Sequence, residues 1–268
     1  MRIAVFLVDQ IYANIVAKSL IQEFGKDIKL FAESAVLLQN RSVLGGLRKY
    51  LSTSGLYYVG TQTLKVEIFR IISRLFHSFL SSDNKFYSYR KLARNKHIPV
   101  IRIKNANSDE MLNLLKEKKV DLIISVFFNQ ILSKQVIDVP SKGIINIHPA
   151  YLPNYKGTGP IFWSLVNNEK FVGVTVHFID TGIDTGKIIS REKVKIGDFD
   201  TEDSLYWKCA LAGIPLLISA VKSIKNDKVA TIENKGGKSF KIPTKEAIAR
   251  FRNQGKNFFN LKSYVFND

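Results

Sequence analysis

The strongest constraint on this chain is an alternation of short apolar runs with longer stretches of helical spacing. "RIAVFLV" (2–8) is β-rich, and "IYANIVAKSLIQEF" (11–24) then repeats apolar residues at Ile11, Ile15 and Leu20. "IKLFAES" (28–34) reads as a second strand, which completes a βαβ opening. The pattern resumes with a helix in "YSYRKLARNKH", a strand in "IPVIRI", a helix in "SDEMLNLLKEKK", and strands in "VDLIISVFF" and "GIINIH". Ser108 is placed to cap the second of these helices and Pro160 to start the next, "PIFWSLVNN". "GVTVHFI" and "KIISREKVKI" read as strands joined by the turn-rich "DTGIDTG". A long helix follows from Thr201, with Glu202 and Asp203 suiting its N-terminal dipole. Strands alternating with helices imply an α/β fold, a mostly parallel twisted sheet with helices on both faces.

Two segments depart from the alternation. Residues from about 40 to 90 lack strand patterning and read as a helical insertion, strongest from Leu64 to Leu80. Its apolar positions Leu64, Ile68, Ile71, Ile72, Leu75, Phe76 and Phe79 would ordinarily pack on the core; with Arg70 and Arg74 beside them, a lid or a membrane-surface contact is the sharper alternative. Residues 227–268 form a short, basic C-terminal extension with a helix expected in "TKEAIARFRNQG". The catalytic domain is therefore expected over 1–226.

Charge narrows the partners. The net charge is +17 over 268 residues, and between Arg41 and Lys96 eleven Lys or Arg face only Glu67 and Asp83. Such a surface attracts polyanions: nucleic acid, anionic headgroups or phosphorylated substrates. The single cysteine, Cys209, excludes an internal disulfide and a cysteine metal cluster. The N-terminal run is interrupted by Asp9 and Gln10 too early for a signal peptide, and no unbroken apolar run reaches the roughly 20 residues that span a bilayer, so a cytoplasmic location is expected.

The chemistry concentrates in "GIINIHPAYLPNYKGTGPIFWSL" (143–165). Asn146 and His148 are two apart on a predicted strand and share one face, and Pro149 and Pro153 end that strand at its carboxyl side, where open α/β sheets bind ligands. Asp180 and Asp184 lie in a loop that could reach the same rim. An amide donor, an imidazole and a carboxylate together could stabilise an oxyanion and move protons in acyl-type transfer. On spacing alone a satisfied core histidine and a turn-forming asparagine fit equally well. His77, His97 and His177 read as structural. "YKGTGP" precedes a helix whose free amides could hold an anion near Lys156, Gly157 and Thr158, and no Gly-x-Gly-x-x-Gly follows the first strand.

"NIHPAYLPNYKGTGPI" followed by "GVTVHFIDTGIDTGKII" resembles the catalytic core of the folate-dependent formyltransferases, the family of methionyl-tRNA, glycinamide ribonucleotide and sugar N-formyltransferases. The match runs from about Pro99 to Leu217, with a looser, Rossmann-like start. The resemblance implies a catalytic trio of Asn146, His148 and Asp184, 10-formyltetrahydrofolate as formyl donor, and no metal. It also implies a pterin site on Phe128, Gln130, Ile131 and Leu132 and on Asp180, Thr181, Gly182 and Ile183.

The resemblance leaves the acceptor open. The first loop, "LVDQIYANI", lacks both a glycine-rich phosphate cradle and the Gly-Thr-Pro pattern of the tRNA enzymes, and the roughly 40 residues after Asp227 are too few for their C-terminal barrel. The expectation is a primary amine on an amino sugar carried by a nucleotide or lipid phosphate, with Lys156, Gly157 and Thr158 on the acceptor side. Initiator tRNA is the runner-up, and a formyltetrahydrofolate hydrolase or a non-catalytic folate-binding module are further alternatives. Peripheral membrane contact through the insertion and a homodimer are open partner readings.

Overall fold

The computed structural model describes residues 1–35, 42–75 and 88–260. Seven strands form one sheet in the order β3-β2-β1-β4-β5-β7-β8: β1 Ile3–Leu7, β2 Ile28–Ser34, β3 Val100–Ile103, β4 Leu122–Val126, β5 Ile144–His148, β7 Phe171–Phe178 and β8 Ile188–Lys195. The first five run parallel; β7 is antiparallel to β5, and β8 antiparallel to β7. Strand order reverses between β1 and β4, the switch point at which such sheets open a crevice beyond their carboxyl ends. β1 and β4 are buried along their whole length, and each fully buried Ile, Leu, Val or Phe contributes roughly 1.5–3 kcal/mol.

Helices cover both faces, as the alternation requires. On one face α1 (Ile11–Phe24), α3 (Tyr89–Asn95), α6 (Pro160–Val166) and α7 (Glu202–Lys225) pack around Val5, Leu7, Ile124, Ile147 and Val174. On the other, α4 (Asp109–Glu117) and α5 (Lys134–Ile137) cover Ala4, Phe6, Ile123 and Ile144. Ser108 accepts from the Met111 amide, Pro160 occupies the first turn of α6, and Thr201 forms a reciprocal capping box with Ser204. Among the described residues α7 is long and apolar enough to cross a bilayer, yet it packs on β7, β8 and α1, which accounts for its apolar character.

The insertion is helical where described. α2 (Val43–Leu75) breaks at Gly55, whose φ of 83° and ψ of 169° leave the helical region. The expected helical stretch beyond Leu75, with Phe76, His77 and Phe79, lies outside the described residues, as do the side chains of Arg70, Ile72, Arg74 and Leu75.

Residues 228–260 do not hang free. β9 (Ser239–Phe240) pairs in parallel with β6 (Lys156–Gly157), Ile232 bridges Ile188, and α8 (Lys245–Asn253) sets Phe251 onto Phe162. Sequence composition hid this because the contacts rest on a few aromatic side chains in an otherwise basic stretch.

Candidate active site

The face of the sheet shared by β4, β5 and β7 changes character along its length. Near the start of β5 it is apolar, with Ile123 and Ile144 in the core; one step on, Ser125, Asn146 and His177 stand in register across three strands. His148 and Thr175 form the next row. Polar side chains thus line one patch at the end of these strands, and they require partners there.

Those partners come from loops. Thr175 Oγ1 donates to the Ala150 carbonyl at 2.6 Å and accepts from the Leu152 amide, which shapes the proline turn after β5. His148 Nε2 lies 3.1 Å from the Tyr155 carbonyl oxygen, so that nitrogen carries the hydrogen, and Nδ1 faces Asp184 Oδ2 at 3.7 Å. Asp184 Oδ2 also accepts from the Gly157 amide at 2.7 Å. The structure therefore brings together the three residues the motif singles out.

Asp184 has a φ of 51°, uncommon for a residue with a side chain, so its backbone is held by its surroundings. Asn234, from the C-terminal extension, donates to the Asp184 and Gly186 carbonyls, both at 2.9 Å. Asp180 closes the same loop, accepting from the Gly182 amide at 3.0 Å and the Thr185 hydroxyl at 2.5 Å. Gly157 must be glycine: its φ is 87°, and a Cβ would meet the Phe240 carbonyl oxygen at 2.3 Å.

His177, read from the sequence as structural, is buried and hydrogen-bonded, and it stands beside Asn146. Its Nδ1 lies 2.7 Å from the Phe178 carbonyl oxygen and so carries the hydrogen; Nε2 is left as an acceptor for the Asn146 amide, 3.2 Å away. Burial holds its pKa down to about 4; nearby Asp184 opposes this and His148 adds to it. The neutral ring fixes which way the Asn146 amide points, with its nitrogen toward His177. Asp184 Oδ1 sits 3.6 Å from the same Nε2.

The remaining expected positions divide. Lys156 is not in the cleft: it is buried, and its ammonium donates to the Gly236 carbonyl at 2.9 Å and the Asn234 carbonyl at 3.4 Å, tying the loop to the extension. Thr158 is exposed, its amide paired with the Phe240 carbonyl. Gln130 is buried between the Ala106 amide and the Ser34 hydroxyl, Leu132 is in the core, and the Phe128 ring packs on Phe6 at 5.4 Å. Those three brace the loop after β4 from beneath. Ile131 and Ile183 are 61 % and 52 % exposed, so each candidate pterin loop offers one uncovered apolar side chain beside exposed Thr181 and Gly182.

An open α/β sheet with an amide, two imidazoles and a carboxylate beyond a switch point defines a site suited to acyl-type chemistry. The formyl transferase family model matches residues 62–221, and the chain belongs to that family. It is 32 % identical over 209 residues to the bifunctional polymyxin resistance protein ArnA of Wigglesworthia glossinidia brevipalpis, covering 76 % of this chain and 32 % of that one. It is 34 % identical over 151 residues to the methionyl-tRNA formyltransferase of Clostridium tetani, covering 56 % and 49 %. The chain thus spans half or less of the length of these two relatives. Among solved structures, an N-formyltransferase from Helicobacter canadensis in complex with folinic acid and dTDP-3-aminofucose superposes with a TM-score of 0.57 at 20 % identity, covering 90 % of this chain and 72 % of that one. At that identity the likeness is one of fold.

Proposed function

We propose that this chain transfers a formyl group from 10-formyltetrahydrofolate to a primary amine on an amino sugar carried by a phosphate-bearing group. The observation that carries the chemistry is the convergence of Asn146, His148 and Asp184 at the end of β5, with Asp184 held from three sides. Asn146 has a second amide N–H beyond the one given to His177, and that hydrogen can stabilise the oxyanion formed as the amine nitrogen attacks the formyl carbon. His148 and Asp184 take the proton that the amine loses. Their 3.7 Å separation suits transfer directly after a small closure or through one bridging water. Breaking the bond to the folate nitrogen then needs a proton returned to that nitrogen, and the same pair supplies it.

The donor fits the residues present. Folate would lie between the loop after β4 and the loop 180–184, where Ile131 and Ile183 are uncovered and Asp180 holds the turn. For the acceptor, exposed Lys238 and Lys241 flank β9, whose partner β6 carries the Gly157 amide that holds Asp184. Two exposed cations flanking the strand paired with β6 suit a phosphorylated acceptor. The sugar nucleotide held by the Helicobacter canadensis protein of the same fold agrees with this reading.

The methionyl-tRNA reading is favoured by the identity to the Clostridium tetani enzyme and by the charge of +17. The test is to incubate the protein and 10-formyltetrahydrofolate with nucleotide-linked amino sugars and, separately, with charged initiator tRNA, and to read product mass. Formylated sugar supports the proposal, formyl-methionyl-tRNA alone transfers it to the second reading, and formate released without an acceptor contradicts both.

A further inference from the structure

The second half of α2, after the Gly55 break, is turned inside out. Its inward side carries Tyr58, Gln62 and Lys65. Tyr58 packs edge-on against Phe258 at 5.4 Å, Gln62 Nε2 donates to Glu202 Oε2 at 3.1 Å, and Lys65 Nζ lies 3.2 Å from Asp203 Oδ1 and 3.0 Å from the Tyr12 hydroxyl. Its outward side carries Leu56, Leu64 and Ile71, which are 78 %, 53 % and 54 % exposed. At about 100° per residue these three fall within an arc of about 80°, which also holds exposed Glu67 and Gly60, with Tyr57 at its margin. A surface helix normally hides such a stripe and shows its lysine.

The inversion is fixed by the body. Glu202 and Asp203 are buried at the start of α7 and need polar partners; Gln62 donates to Glu202, and Lys65 joins the Tyr12 hydroxyl at Asp203. Rotating the helix to hide its leucines would strip those partners away. The exposed stripe is thus a built feature of the surface.

Its surroundings identify the partner. The Arg252 guanidinium lies 4.2 Å from the centroid of the Tyr57 ring, Lys245 packs at the Gly55 break, and Arg48 and Lys49 are exposed on the preceding helical segment near exposed Leu44. Among the described residues, exposed Glu67 lies within the stripe and exposed Glu246 follows Lys245. A second copy would bring two basic rims together on chains each carrying +17. An anionic bilayer surface complements the leucines and the rim at once. We propose that this protein docks on anionic lipid through Leu56, Leu64 and Ile71, with Arg48, Lys49, Lys245 and Arg252 against the headgroups. The proposal goes beyond formyl transfer and does not depend on it.

The test uses the full chain and sedimentation with phosphatidylcholine vesicles, with and without phosphatidylglycerol, at low and high salt. The expected result is co-sedimentation only with phosphatidylglycerol, weakened by salt and reduced about tenfold or more in the Leu64→Ser/Ile71→Ser double variant. Both positions are exposed, so the variant should keep its far-ultraviolet spectrum. Absence of vesicle binding overturns the proposal, as does equal binding by the double variant, which would mean diffuse charge adsorption. A dimer seen by analytical ultracentrifugation and abolished by the same substitutions, without vesicle binding, would assign the stripe to a second copy instead.

Discussion

The Asn146 side-chain amide points its nitrogen at Nε2 of His177, 3.2 Å away, on the neighbouring antiparallel strand. The carboxamide proposed to hold the oxyanion is therefore oriented by a ring that must stay neutral to accept from it. His177→Phe should lower kcat by about 10²-fold, the scale of a misplaced catalytic group, while KM for the folate changes little. His177→Gln, which keeps an acceptor, should recover part of the loss. Steady-state kinetics on the three proteins decides this; equal turnover in the phenylalanine variant and wild type would mean that the contact only fills space.

The same histidine gives a pH signature. Its pKa is about 4 in the folded protein against an ordinary 6.5, so between those values the unfolded chain binds a proton that the folded one refuses. Stability is lost as pH falls from about 6.5 towards 4. Buried Glu202 acts oppositely: burial raises its pKa, so the folded state there favours the protonated acid. The informative quantity is the difference between wild type and His177→Gln in urea unfolding at pH 7 and pH 5, and the variant should be the less acid-sensitive of the two.

Asn234→Ala removes two hydrogen bonds that hold the Asp184 loop and takes the donor from the buried Gly186 carbonyl and the part-buried Asp184 carbonyl. The expected cost is roughly 1–3 kcal/mol in chemical unfolding, with a fall in kcat because Asp184 is freed from its backbone conformation. Gly157→Ala attacks the same carboxylate from the other side, since the new methyl collides with the Phe240 carbonyl. Loss of stability without loss of turnover in either variant would detach the C-terminal extension from catalysis.

The structure tolerates the sequence-based reading unevenly, for physical reasons. Asn146 and His148 were legible because a period of two puts both on one face, and the prolines mark where the strand stops. His177 was not, because its role depends on the register of an antiparallel return strand, which local patterning does not encode. Asn234 acts on a carbonyl 50 residues away, and nothing in its neighbourhood marks it. Lys156 was placed near an anion site by the glycine loop that precedes a helix start, but the β6–β9 pairing turns its ammonium toward backbone carbonyls. In α2 the usual rule of apolar residues inward fails because two buried acids claim the inward side.

Lys65→Met tests that claim. It removes the Lys65 ammonium from Asp203, whose side chain is only 9 % exposed, at a cost of roughly 3–5 kcal/mol, while the Tyr12 hydroxyl remains as a donor. Denaturant unfolding should show the loss, and adding Asp203→Leu should restore much of it. A loss below about 1 kcal/mol would mean the pair behaves as an exposed one.

The central claim, formyl transfer by Asn146, His148 and Asp184, is most directly tested by product mass from wild type, His148→Ala and Asp184→Asn given 10-formyltetrahydrofolate and a nucleotide-linked amino sugar. The account predicts a formylated sugar from wild type and turnover lower by about 10²–10⁴-fold in both folded variants. Undiminished product from either variant would contradict it.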